Sequence, residues 1–162
     1  MSRLISELEK ILKSMVQENR SLLASVQAHQ HAIRHMRLAD INATRATIEA
    51  ARFKIVAMEN RRKTLTSELA ASMRLPSITI MKLAELNPAQ GTRLLQLRNE
   101  LHEVVEQVRK ETYVSGKVAQ SLLGHLNTVV RLVMGAVQTA GVYTKQGTPK
   151  MAKRIGLMNA VG

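Results

Sequence analysis

From Leu4 the large apolar residues return at steps of three and four: Leu4, Leu8, Ile11 and Met15, then Leu22 and Val26, then Ile33 and Met36. Asn19 and His29 fill the two gaps. Such steps keep side chains on one helix face, so the pattern predicts a helix from near Ser2 with a coiled-coil-like stripe. Two steps of four follow each other at Ile11, Met15 and Asn19, a local slip in the repeat. An asparagine in a seam costs stability and can fix register.

A second stripe runs through Ile41, Ile48, Ala51, Ile55, Met58, Leu65, Leu69 and Met73, interrupted at Arg62. It predicts a second helix from Ala39 or Asp40 to Met73. Leu75 precedes Pro76, which pushes it out of helical angles and ends the helix. Residues 78–86, ITIMKLAEL, have room for one or two turns. Asn87–Pro88 then reads as an N-cap followed by proline at the first helical position. The third stripe takes Leu94, Leu97, Leu101, Val104 and Val108, and continues through Val118, Leu122, Leu126, Val129 and Val133. Gly116 and Gly124 lie inside it, and each weakens a helix by up to ~1 kcal/mol relative to alanine. A bend is expected near residues 113–116 and fraying between Gly135 and Gly141. Val129 and Val133 are assigned to the core, as the end of this helix.

Three long helices with short connections fold as an all-α, elongated antiparallel three-helix bundle, coiled-coil-like, with a short connecting helix. Residues 1–140 form the expected helical domain. Residues 141–162, GVYTKQGTPKMAKRIGLMNAVG, are expected to be a flexible basic tail.

Composition narrows the chemistry. The 162 residues include no cysteine, which removes disulfides, thiolate metal sites and cysteine nucleophiles, and agrees with a reducing cytoplasm. Aromatics are 2% of residues, so platforms that stack single-stranded bases are scarce. The first ten residues carry charges every few positions, which does not read as a signal peptide. The longest apolar run, LVMGAV at 132–137, is too short to span a bilayer.

The formal net charge of +12 points to an acidic partner, nucleic acid or an anionic surface. Its placement is uneven. Residues 1–75 hold 13 basic and 7 acidic groups, residues 76–111 hold 5 of each, and residues 112–162 hold 6 basic and none acidic.

Candidate sites are few. His31 and His35 are four apart and share a helix face, with His29 nearby, but a metal centre needs three or four ligands, and a surface pair is the reading adopted. No phosphate-cradling loop, nucleophile elbow or HExxH motif is present. Carboxylates sit opposite basic residues at helical spacing, as in Glu106 and Lys110, so no catalytic set is assigned and no cofactor is expected. The stretch VVRLVMGAVQTAGVY, 129–143, is apolar all round, more than one bundle face requires. Beyond it, Met151, Ile155 and Met158 fall at steps of four and three, the spacing of an amphipathic helix that forms on contact. Val137, Val142, Tyr143, Met151, Ile155, Leu157 and Met158 are therefore the candidate binding residues. Lys145, Lys150, Lys153 and Arg154 are the candidate steering charges for an acidic segment.

The sequence also resembles the FlgN-like chaperones of flagellar type III export. The likeness lies in the opening LxxxLxxIL helix, the late SLLGHLNTVVRLVMG at 121–135 and the closing VYTKQG at 142–147. The resemblance implies a cytoplasmic chaperone that binds hook-associated (hook–filament junction) proteins, keeps them unpolymerised and delivers them to the export apparatus. It further implies a client site in the late third helix and tail. Two other readings stay open on charge and stripe alone: a basic helical adaptor that binds nucleic acid non-specifically, and a structural coiled-coil homodimer.

Overall fold

A computed structural model describes the backbone of residues 2–140 and the side chains of residues 2–135. Four helices follow in order: α1 (Ser2–Arg34), α2 (Leu38–Ser72), α3 (Ile80–Leu86) and α4 (Pro88–Ala140). Among the described residues there is no strand, so the chain is all-α as the periodicity predicts. It divides into two compact units, residues 1–119 and residues 120–162.

The direction of each helix in the first unit can be read from its ion pairs. Glu7 meets Arg61 at 2.9 Å and Glu18 meets Lys54 at 3.5 Å, so α1 and α2 run antiparallel. Glu9 meets Arg93 at 3.4 Å and Arg20 meets Glu100 at 3.2 Å, so α4 starts parallel to α1. The result is an up-down-up bundle. These pairs are solvent-facing and worth roughly 0–1 kcal/mol each, so they set register more than stability.

Stability comes from two apolar clusters. In one, Ile5, Leu8 and Leu12 of α1 pack with Leu65 and Leu69 of α2, Leu83 of α3, and Leu94 and Leu97 of α4. Most of these side chains are entirely buried. The other is smaller: Leu22 and Val26 pack with Ala51, bordered by Ile48, Ile55 and Val108.

The α1 stripe departs from its expected set. Ile5 and Leu12 are the buried residues, while Leu4 and Ile11 are only partly buried and pack beside them. The inward face of α1 is wider than the predicted stripe and reaches past it to Ile5 and Leu12, because it packs on α2, α3 and α4 together and not on one partner. Met36 leaves the stripe altogether. It is 55% exposed and sits in the turn at φ 51°. Asn19 is buried as expected, but its amide donates to Met15 O of its own helix at 2.8 Å. Its side-chain bond is thus satisfied locally and not spent on a neighbouring helix.

Both long helices of the hairpin end in the same way. Arg37 N donates to Ala32 O and Met36 N to Ile33 O, both at 3.0 Å, with Met36 left-handed. Leu75 N donates to Ala70 O at 2.9 Å and Arg74 N to Ala71 O at 3.0 Å, with Arg74 at φ 56°. These are Schellman turns, and each satisfies carbonyls that the helix end would leave open. Glycine usually holds the left-handed position; methionine and arginine hold it here.

The α2 stripe is the predicted one. Arg62 interrupts it as expected, half-shielded, and its guanidinium donates twice to Glu59, each bond 2.7 Å. That pairing, helped by the charges of Arg62 and Lys63, holds the Glu59 carboxyl below its ordinary range against the opposing effect of burial.

The connection α3 is capped by Thr79, whose hydroxyl accepts from Lys82 N at 3.1 Å. Pro88 opens α4 as predicted. Asn87, however, uses its side chain to donate back to Leu83 O at 3.1 Å, so it serves the end of α3 and not the first amides of α4. Gly91 faces the backbone of Ala84, and a Cβ there would collide with it. This close approach lets α3 fold back onto the start of α4. Helix α4 runs through Gly116 and Gly124 without a break.

Candidate functional site

The second unit holds the part of α4 from Gln120 onward. Here the residue types of a core are not in one. Leu123, Leu126, Val129, Val130, Leu132, Val133 and Met134 are each between 47% and 68% exposed. Leu122 is half-buried. The expectation that Val129 and Val133 lie in the core is overturned: they are 55% and 56% exposed. Their spacing continues the α4 stripe, but no described residue covers them.

At about 100° per residue, the seven side chains occupy an arc of roughly 200° around the helix. Leu126, Val129 and Val133 lie near its middle, Leu132 at one edge, and Val130, Leu123 and Met134 toward the other. The opposite side carries Asn127, Thr128 and Arg131. Thr128 turns its hydroxyl to Gly124 O at 3.0 Å, which hides its polarity in the helix itself. The run is about 16 Å long by helical rise. Lone exposed apolar residues are ordinary on a surface, whereas a contiguous band of this kind marks a contact site. Leucine, valine and methionine side chains suit helical ligands, with methionine the most adaptable.

The electrostatics are one-sided. No Asp or Glu follows Glu111 in the sequence, while Lys117 and Arg131 are present before residue 136. At the end of the first unit, Lys117 Nζ lies 5.6 Å from the ring centre of Tyr113, which is itself 67% exposed.

Of the residues singled out from sequence, Val137 lies within α4, but its side chain is outside the described residues. Val142, Tyr143, Met151, Ile155, Leu157 and Met158 also lie outside them, as do Lys145, Lys150, Lys153 and Arg154. Sequence reasoning passed over Leu123, Leu126, Val130 and Leu132 as binding residues, and gave Leu126 to the stripe. The signal that marks them is the density of large apolar residues from Leu122 to Met134, wider than one stripe needs, combined with the absence of acids.

The histidines behave as side chains of the bundle. His29 Nδ1 and Thr44 Oγ1 are 2.8 Å apart, and the rings of His31 and His35 lie 4.3 Å apart at a tilt of 53°. Among the described residues no three His, Asp or Glu side chains group as metal ligands. Glu106 pairs with Arg109 at 3.3 Å, and not with Lys110 as its spacing suggested. Among the same residues no helix is long and apolar enough to cross a membrane.

No curated protein and no solved structure matches this sequence. One family does, described as FlgN protein, over residues 1–150. That span takes in all four helices, the exposed band of α4 and the VYTKQG segment on which the resemblance partly rests. The chain belongs to the FlgN family of flagellar type III export chaperones.

Proposed function

We propose that this chaperone binds hook-associated proteins in the cytoplasm through the apolar band of late α4, continued by Val137 and the tail residues Val142, Tyr143, Met151, Ile155, Leu157 and Met158. It holds them unpolymerised and passes them to the export apparatus. The observation that carries this is the band itself: seven large apolar side chains left open on a helix, in a family of export chaperones.

The physics suits the task. An apolar band wider than a bundle face offers a client helix the contacts it would otherwise seek in its own polymer. A tail that orders on contact loses conformational entropy, which keeps affinity moderate and permits release. Lys145, Lys150, Lys153 and Arg154 would steer an acidic client segment and raise the association rate more than the affinity.

The test uses full-length protein and purified hook-associated proteins, with binding followed by calorimetry at two salt concentrations. Leu126→Asp with Val130→Asp is expected to abolish binding while leaving the melting temperature within a few degrees, since neither side chain is buried. Removing residues 141–162 is expected to weaken or abolish binding with helicity retained. Client binding unchanged by both variants would refute the reading. Steeply salt-dependent capture of nucleic acid in place of clients would point to the basic adaptor.

A further inference from the structure

Within the first unit, near the α1–α2 turn, a groove of about 630 Å³ opens between α1, α2 and α4. Its floor is aliphatic: Leu22, Val26 and Ile33 from α1, Ile48 from α2 and Val108 from α4. Its rim is cationic, with Arg45 and Arg52 from α2 and Arg109 from α4, beside His29. No carboxylate is among the lining residues. Arg109 is engaged by Glu106, but the side chains of Arg45 and Arg52 have no ion pair or hydrogen bond among the described residues.

Apart from a cationic rim and an aliphatic floor, the groove offers little: no Phe, Tyr or Trp lines it, so it lacks the platform on which successive bases stack. Its volume suits a few side chains and not a whole helix. The chain's own tail is a poor occupant, because residues 112–162 carry 6 basic groups and no acidic one, and like charges would meet at the rim. The same holds for the tail of a second copy. What fits is a segment of opposite charge with apolar anchors.

We propose that this groove docks an acidic amphipathic helix of a partner protein, which seats one or two aliphatic side chains on the Leu22–Val26–Ile48–Val108 floor and pairs flanking carboxylates with Arg45 and Arg52. The site is separate from the apolar band of late α4. It gives the chaperone a second contact, selected by charge where the band selects by apolar area.

The test uses the full chain with labelled methyl groups and a synthetic helix as probe. The probe has leucines at i, i+3, i+4 and i+7 and glutamates elsewhere. A twin carries lysines in place of the glutamates. Binding of the acidic probe, read by fluorescence anisotropy, is expected together with shifts of the Ile33, Ile48 and Val108 methyl signals. Arg45→Glu with Arg52→Glu is expected to weaken it at least ~tenfold. Gly116→Leu is a second variant that keeps every charge. Gly116 lines the groove, and a Cβ there meets nothing within 4 Å, so the fold accepts the side chain while the groove is filled. It too is expected to weaken the acidic probe about tenfold. Equal binding of the lysine twin, indifference to both variants, or methyl shifts confined to Leu123–Met134 would each overturn the proposal. So would an oligonucleotide that binds through Arg45 and Arg52 and ignores Gly116→Leu.

Discussion

Helix α4 carries the same residue types at its two ends and uses them in opposite ways. Near its start Leu94 and Leu97 are 0% and 3% exposed; further on Leu126 and Val129 are 47% and 55% exposed. Both pairs lie on one periodic stripe. The first pair has α1, α2 and α3 around it, and the second has no cover among the described residues. Periodicity therefore says which face is apolar, while burial depends on whether another element reaches that face.

The contrast predicts its own largest effect. Leu8→Ala or Leu94→Ala removes a fully buried side chain and is expected to cost about 2–5 kcal/mol. Leu126→Ala or Val129→Ala is expected to change stability by less than about 0.5 kcal/mol. Urea denaturation of the four variants measures both. A comparable loss at Leu126 would show that late α4 is covered in solution.

A glycine pair sharpens the same comparison. At Gly91 a Cβ would strike the Ala84 backbone, so Gly91→Ala is expected to destabilise by about 1–3 kcal/mol. At Gly124 a Cβ meets nothing within 4 Å, and Gly124→Ala is expected to favour the helix by up to ~1 kcal/mol. Melting followed by circular dichroism gives both signs.

Smaller again are the helix ends. Met36 and Arg74 hold left-handed backbone, which costs a side-chain-bearing residue about 1 kcal/mol. Met36→Gly and Arg74→Gly are each expected to recover part of this, raising stability by a few tenths to about 1 kcal/mol. No gain in either would mean that the turns adapt around their side chains.

The smallest effect is a pH dependence. Glu59 titrates below its ordinary value of 4.5 because Arg62 binds its charged form. A carboxyl with a lowered native pKa stabilises fully above its unfolded value, and that contribution is lost as pH falls through 4.5 and below. Glu59 is 33% exposed, so solvent screens the pair and only a few tenths of a kcal/mol are expected. Glu59→Gln should flatten the acid limb of a stability–pH curve by that amount, as denaturation at several pH values would show.

Much of the bundle was legible in the sequence because its signals are local. Pro76 stops α2, Pro88 starts α4, and the α2 stripe names its own inward face. The α1 face was read correctly at Leu8, Met15, Leu22 and Val26 and one residue off at Leu4 and Ile11. Leu4 and Ile11 alternate with Ile5 and Leu12 at equal spacing, and only the neighbouring helices choose between them. The Schellman turns were invisible because no glycine marks Met36 or Arg74. The candidate site was half legible: the all-round apolarity of 129–143 was visible, but assigning Val129 and Val133 to the core required a covering helix, and the described residues supply none. The groove was not legible at all, since Val26 of α1, Arg45 and Arg52 of α2 and Val108 of α4 meet only in the folded bundle.

The lack of acids after Glu111 has a colloidal consequence. An open apolar band invites its like, and two copies meeting there would bury it together. Each copy brings only positive charge to that encounter, so repulsion opposes contact over about a Debye length, ~8 Å at physiological ionic strength. Charge on this segment therefore opposes self-association through the band, and that opposition weakens as salt rises.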